Sequence, residues 1–179
     1  MTEKLLTRLD QVSASLLLLW TGMALGIAVL AAPIVFHQLP SRELAGRVIG
    51  ACFGWIDLLS WFAFGLPFLL SYGSRWLSEM KEPGFGPMKL WSAAALAALL
   101  MCLTSSAIVN PRMQAIRARF SAPLGTLPVN SPERAAFNRA HNLSEQLLGL
   151  RMLLALGLAA GVFYLPKGKA EPAKAVVEV

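Results

Sequence analysis

Four long apolar stretches dominate the pattern of hydrophobic and polar positions along the chain. They cover about residues 12–36, 48–72, 90–109 and 143–164. Each is close to or above the roughly 20 residues that an α-helix needs to cross the hydrocarbon core of a bilayer. The pattern therefore predicts an all-α, integral membrane four-helix transmembrane bundle. It forms one domain over residues 1–166, followed by a disordered polar tail over residues 167–179.

The first stretch also has features of a secretory signal peptide. Lys4 and Arg8 precede it, and Ala31 and Ala32 offer small residues for cleavage. The apolar region of a signal peptide is only about 7–15 residues long, however, and this stretch is much longer. We therefore interpret it as the first transmembrane helix.

Capping residues indicate where two of the helices begin. Ser41 and Ser131 are of the type that accepts a hydrogen bond from the first turn of a helix. Ser131 is followed by Pro132 and Glu133, which are both favoured in that turn. We expect the second and fourth helices to begin at these serines, ahead of the apolar stretches themselves.

The Asn110-Pro111 pair allows two interpretations. It could mark a kink in the third helix, or Asn110 could cap a new short helix with proline in its first position. We favour the second interpretation, because Met113, Ile116 and Phe120 would share one face of that helix. A segment of this kind is typical of the headgroup region, so we expect a short interfacial helix between helices three and four.

Composition supports a membrane location, since 56% of the 179 residues are hydrophobic and only 15% are charged. The net charge of +6 comes mainly from loops and chain ends, where it suits anionic lipid headgroups. Aromatic residues do not alternate with basic ones as in a nucleic-acid-binding surface. We expect lipid as a partner and no nucleic acid.

Four spans place both chain termini on one side of the membrane, here called side A. The connections over residues 38–47 and 110–142 then lie on the other side, side B. Lysine and arginine are nearly balanced, with eight on side A and seven on side B. Lys4 and Arg8 before the first helix favour cytoplasmic termini. We expect a multi-pass protein of a bacterial inner (cytoplasmic) membrane.

Small residues recur at intervals of four in the apolar stretches. Lipid gives helices no hydrophobic reason to associate, so membrane helices rely on close backbone contact at small residues. A ligand groove beside bare backbone is the competing interpretation. We expect these stripes to pack the bundle, and self-association of the chain is a further expectation. The glycines concerned are Gly22, Gly26, Gly46, Gly50, Gly54, Gly157 and Gly161.

Two opposite charges, Asp57 and Arg151, lie inside apolar stretches. A charge at the centre of a bilayer costs roughly 2.5–3.5 kcal/mol on insertion scales. With a rise of about 1.5 Å per residue, both lie roughly 12–14 Å below the side B interface. They could therefore form a salt bridge between helices two and four. The pair is either a strut that orients the two helices or a proton or ion relay.

A second polar group gathers at the side B ends of the helices. It comprises His37, Asn110, His141, Ser144 and Glu145. His141 and Glu145 are four residues apart, so they could form a hydrogen-bonded pair, ligate one metal ion, or simply be solvated. Ser144 with His141 lacks the oriented base and oxyanion motif of a hydrolase.

The sequence has two cysteines, Cys52 and Cys102, and both fall within predicted helices. We interpret them as small apolar residues of the bundle. With His37 and His141 they are also the candidates for metal ligation. Met113 and the two thiols could supply soft ligands for copper if the fold brought them together.

Several short motifs resemble a known family. They are GMALGIAVLAAPIVF at residues 22–36, Ala45-Gly46, Asn110-Pro111-Arg112-Met113 and FNRAHNLS at residues 137–144. Their order is similar to that of the four-helix domain-of-unknown-function membrane proteins typified by transmembrane protein 205, over residues of about 16 to 165. The resemblance implies that Pro33, Asn110, Pro111, His141 and Ser144 belong to the family pattern, and it implies no activity. A looser likeness in layout links such bundles to copper-resistance and haem-associated four-helix proteins.

Together these features predict a non-enzymatic integral membrane protein with a role in transport, metal or stress tolerance, or membrane organisation. The alternative is a redox protein that binds haem or copper through His37 and His141.

Overall fold

The fold was analysed in a computed structural model that describes residues 3–69, 87–119, 126–128 and 130–164. The predicted tail over residues 167–179, the end of the second apolar stretch at 70–72 and Phe120 lie outside these ranges. The described residues contain six α-helices and form four membrane spans. The chain is an all-α integral membrane four-helix bundle.

Each of the first and third spans consists of two α-helices joined by a π-helical segment. The first contains α1 (Glu3–Leu25), a π segment (Gly26–Ala31) and α2 (Ala32–Gln38). The third contains α4 (Pro87–Thr104), a π segment (Ser105–Val109) and α5 (Asn110–Ala118). The second span is α3 (Arg42–Pro67), and the fourth is α6 (Pro132–Tyr164).

Both predicted serine caps are confirmed. The side chain of Ser41 accepts a hydrogen bond from the backbone N–H of Leu44 at 3.2 Å. Ser131 accepts one from the N–H of Arg134 at 3.3 Å. Each cap satisfies a backbone donor that the first turn of a helix leaves free. Helices two and four therefore begin where the sequence predicts, ahead of their apolar stretches.

The predicted separate interfacial helix is not confirmed. Residues Asn110–Ala118 are helical, but they continue the third span directly from the π segment, and the candidate span runs over Leu90–Ala118. Asn110 has helical backbone angles and does not cap. Met113 and Ile116 are half-buried while Arg112 and Arg119 are exposed, so the helix is amphipathic as expected.

The four spans pack as a square in which each contacts two neighbours. The first span contacts α3 and α6, and the third span contacts the same two helices. Buried residues from all four spans form the core, including Leu17, Phe64, Cys102 and Leu158. The helices α3 and α6 therefore lie across the square from each other.

Many large apolar side chains point outward from the bundle. Leu30, Trp55, Leu100 and Leu153 are among those more than half exposed. In water such surface would be costly, at about 25 cal/mol for each Å². The arrangement is that of a protein whose solvent is lipid.

The glycine stripes contribute unequally to packing. A Cβ atom on Gly161 would lie 2.5 Å from the ring of Trp91, so this glycine permits a close approach of α4 and α6. Within the described residues, an added Cβ would meet no atom within 4 Å at four other glycines of the predicted stripes. These are Gly22, Gly26, Gly54 and Gly157. Three of them, all but Gly26, are exposed, because the core forms on other faces of their helices.

Candidate functional site

The buried site is centred on Arg151 of α6, whose guanidinium lies between the four spans. Its Nη2 donates to Oδ1 of Asp57 in α3 at 2.6 Å, and the side chains are 1% and 9% exposed, respectively. The predicted salt bridge thus exists. The two residues belong to helices on opposite sides of the square, so the long arginine side chain crosses the centre of the bundle.

The other two guanidinium nitrogens of Arg151 also have acceptors. Its Nη1 donates to Oγ of Ser60 at 3.2 Å and lies 3.5 Å from Sγ of Cys102. Its Nε donates to the backbone carbonyl of Leu147, one turn earlier in α6, at 3.3 Å. All three guanidinium nitrogens are therefore engaged, which offsets the cost of burying a charge.

The second carboxylate oxygen of Asp57 accepts two hydrogen bonds from the third span. Ser105 donates through Oγ at 2.9 Å, and Asn110 donates through Nδ2 at 2.7 Å. In a regular α-helix two residues five apart point about 140° away from each other. The π segment Ser105–Val109 changes this, since its wider turn bonds the N–H of Asn110 to the carbonyl of Ser105. Both side chains therefore reach one oxygen atom.

The first span contributes Trp20 to the same site. Its ring lies beneath the guanidinium of Arg151, with 5.9 Å between the Cζ atom and the ring centroid. Its indole N–H donates to the carbonyl of Ile56 in α3 at 3.0 Å, and the ring packs edge-on against Phe64 at 5.2 Å. An aromatic face attracts a cation. Residues from all four spans thus surround the ion pair.

The predicted side B cluster is divided by the fold. Asn110 turns inward to Asp57, so its assignment to that cluster is corrected. His141 and Glu145 form a pair, which is one of the three arrangements that the sequence allowed, with 3.1 Å between Nε2 and Oε1. His141 also stacks on Phe137, with ring centroids 6.1 Å apart. His37 is exposed in α2, and Ser144 is half-buried.

The candidate metal ligands do not form a larger group in the described part of the chain. No set of three or more histidine, cysteine or acidic side chains lies together there in an arrangement that could hold a metal ion. Cys102 is buried beside Arg151, whereas Cys52 is partly exposed. A site that uses only His37 and His141 stays a prediction.

Sequence reasoning missed Ser60, Cys102, Ser105 and Trp20 as parts of this site. A signal for two of them is present. Ser60 is three residues after Asp57, on the same helical face, and Ser105 is a polar residue in an apolar stretch five before Asn110. The second spacing has meaning only in a π-helix, which periodicity did not indicate. Trp20 gives no such signal, since tryptophan is ordinary in a membrane span.

A bundle of four apolar spans around a buried, hydrogen-bonded ion pair defines a multi-pass helical membrane protein. The chain belongs to the family described as Domain of unknown function (DUF4149), whose model matches residues 15–121. That match includes Trp20, Asp57, Ser105 and Asn110 but ends before Arg151. No curated protein and no solved structure shows significant similarity to the chain.

Proposed function

We propose that the Asp57–Arg151 network acts as a strut that joins the four spans of the protein. In this proposal the protein is non-enzymatic, and its rigid bundle serves membrane organisation or stress tolerance. One observation carries this proposal. Both carboxylate oxygens and all three guanidinium nitrogens have partners, and these partners come from α3 and the third span as well as from α6 itself. A pair held in this way stabilises one arrangement of the helices.

Transport is the competing proposal for the same residues. A relay or a gate requires the two charges to separate or to exchange protons during the cycle. The multiple contacts of Asp57 and Arg151 support the strut, because each separation would leave several buried polar groups without partners.

A double-mutant cycle tests the strut. In Asp57→Asn, an amide with one acceptor oxygen replaces a carboxylate that accepts hydrogen bonds at both oxygens. The amide NH2 group then faces another hydrogen-bond donor in one of these contacts. We expect Asp57→Asn and Arg151→Gln each to lower the free energy of unfolding by about 3 kcal/mol or more. We expect a coupling energy of about 1 kcal/mol or more between them. The measurement is helicity by circular dichroism in mixed micelles with increasing dodecyl sulfate.

The chain offers a matched control pair in α3. Glu43 and Arg47 are joined at 3.4 Å, but the arginine side chain is 69% exposed. Glu43→Gln and Arg47→Gln should show a coupling of no more than about 0.5 kcal/mol. If the buried pair is no more strongly coupled than this exposed pair, and Asp57→Asn folds as stably as the wild type, the strut is rejected and transport is favoured.

The redox alternative has its own observable. If His37 and His141 ligate haem or copper, protein purified in detergent will show a Soret band or stoichiometric copper. If the strut proposal is correct, the preparation will show neither a Soret band nor bound copper. In that case His141→Ala should leave the free energy of unfolding unchanged.

We also propose that the chain resembles the membrane proteins typified by transmembrane protein 205, both within residues 15–121, which match the DUF4149 model, and beyond them. The motif FNRAHNLS at residues 137–144 supports this, because it follows Asn110-Pro111 in the same order as in that group. Alignment of the two groups with His141 and Ser144 in shared columns would confirm it. A consistent displacement of these columns would contradict it.

We infer a bacterial inner membrane location with cytoplasmic termini, supported by Lys4 and Arg8 before the first span.

We further propose that the chain self-associates. The support is the set of outward-facing glycines with open space beside them, which offer bare backbone to a second copy. These glycines are Gly22, Gly54 and Gly157.

A further inference from the structure

Arg117 near the end of α5 carries a donor that the bundle does not satisfy. Among the described residues, its Nε is the one buried side-chain nitrogen or oxygen without a hydrogen-bond partner. Buried polar groups in native proteins are nearly always paired, so an orphan donor of this kind points to a missing acceptor. For an arginine that acceptor is most effective when it is an anion.

The guanidinium of Arg117 lies in a cradle between α3 and α6. Its Nη2 is 3.5 Å from the position of a Cβ atom on Gly46, and its Nη1 is 3.9 Å from one on Gly50. On the α6 side the Cζ atom is 4.9 Å from the ring centroid of Phe137. The aromatic ring meets the flat face of the guanidinium, which leaves its N–H edge able to donate.

The charge around this cradle is strongly positive. Side B, taken with the start of the fourth apolar stretch as residues 38–47 and 110–145, carries seven arginines and no lysine, against three glutamates. Two of these, Glu43 and Glu145, are paired with Arg47 and His141. The third is Glu133, and within the described residues no ion pair joins it to Arg117. Residues 120–125, which follow α5, include no acidic residue.

The depth of Arg117 places it near the lipid headgroups. It is seven residues beyond Asn110, which corresponds to a rise of about 10 Å toward side B. Asn110 contacts Asp57, which lies roughly 12–14 Å below the side B interface. The guanidinium is therefore at the level where the phosphates of a bilayer begin.

We propose that Arg117 binds the phosphate group of an anionic phospholipid at the side B surface of the bundle. Arginine suits this ligand because its planar fork donates two parallel hydrogen bonds to phosphate oxygens. The bare backbone of Gly46 and Gly50 leaves room for the fork, and Phe137 holds its orientation. This site is separate from the buried strut, and the proposal does not rest on it.

The test compares four proteins by native mass spectrometry in detergent, with phosphatidylglycerol as the probe and phosphatidylcholine as the neutral lipid. We expect the wild type to bind phosphatidylglycerol in preference. Arg117→Gln should weaken this binding about tenfold or more. Arg117→Lys keeps the positive charge but loses the two parallel N–H donors of the guanidinium. Its affinity for phosphatidylglycerol should therefore lie between those of the wild type and Arg117→Gln. The matched control is Arg119→Gln, the same charge change at an exposed position two residues later, with an effect of no more than about twofold.

Equal losses in Arg117→Gln and Arg119→Gln would overturn the proposal, because binding would then reflect net charge alone. Inorganic phosphate is the second probe. If it binds in an Arg117-dependent manner while phosphatidylglycerol does not, the lipid is rejected as the source of the phosphate.

Gly46→Leu provides a variant that leaves the arginine in place. The larger side chain would occupy the space next to Nη2 and displace the fork, so phosphatidylglycerol binding should fall with no change in charge. Unchanged binding in a Gly46→Leu protein of native helicity would also overturn the proposal.

Discussion

Arg151 spans the centre of the bundle because its side chain is long enough to reach from α6 to Asp57 on the opposite helix. A shorter cation at this position could not contact Ser60, Cys102 and Asp57 at once. Counting residues from a common interface predicted that the two charges share one depth, and their 2.6 Å contact agrees with that count. The count could not reveal that the helices face each other diagonally.

The two adjacent serines of the third span provide a test at the residue scale. Ser105 donates to the carboxylate of Asp57, whereas Ser106 donates to the backbone carbonyl of Cys102 in its own helix. Ser105→Ala should lower the free energy of unfolding by about 1.5 kcal/mol or more, since hydrogen bonds to charged groups are the strong ones. Ser106→Ala removes only a local bond and should change it by less than about 0.5 kcal/mol.

Dodecyl sulfate titrations of the two serine variants, followed by circular dichroism, make the comparison. Equal effects would show that the hydrogen bond from Ser105 adds nothing to the strut.

At the scale of the helices, the first and second spans form one helical hairpin and the third and fourth form another, and the two hairpins repeat one layout. In both the first and the third span a π segment ends two residues before a proline, at Pro33 and at Pro111. A proline ring clashes with the carbonyl four residues earlier, and in each case that carbonyl lies within the π segment. A wider turn relieves this clash without ending the helix. The next helix in each hairpin then begins at a serine cap, Ser41 or Ser131.

This arrangement explains why the interfacial helix prediction failed. An Asn-Pro pair is a sound signal for a helix start in a regular helix. Here the preceding π segment carries the span through Pro111, and the side chain of Asn110 is used in the core.

The glycines of α6 give a prediction at the same scale. Gly161→Ala would place a methyl group 2.5 Å from Trp91, so the ring or the helix must shift. We expect a loss of about 1–3 kcal/mol in the free energy of unfolding. Gly157→Ala is the control on the same helix, where the added atom meets open space. It should be neutral or gain up to about 1 kcal/mol, because alanine is the better helix former.

Thermal unfolding of both variants in detergent, followed by circular dichroism, measures the difference. A Gly161→Ala protein as stable as Gly157→Ala would mean that α4 and α6 do not approach closely at this level.

The whole molecule presents apolar surface to lipid on all four spans and keeps its polar groups in the centre and at the ends. An even number of spans requires the two termini to lie on one side of the membrane. We expect reporter fusions at residues 2 and 170 to give the same result, and a fusion in the connection near residue 124 to give the opposite one. Opposite results for the two termini would show that an odd number of spans crosses the membrane, which would contradict the four-span arrangement.

The number and approximate location of the four spans, the serine caps of the second and fourth helices and the shared depth of Asp57 and Arg151 could be predicted from the amino-acid sequence, because each follows from local composition and the fixed rise of a helix. The rotation of the helices could not be predicted in this way. Whether Gly157 or Gly161 faces a neighbour, whether Asn110 turns to water or to Asp57, and whether Ser105 joins it all depend on how four helices pack together. The two π segments change that rotation locally. Only the tertiary structure therefore distinguishes a set of polar residues scattered along four spans from one hydrogen-bonded site.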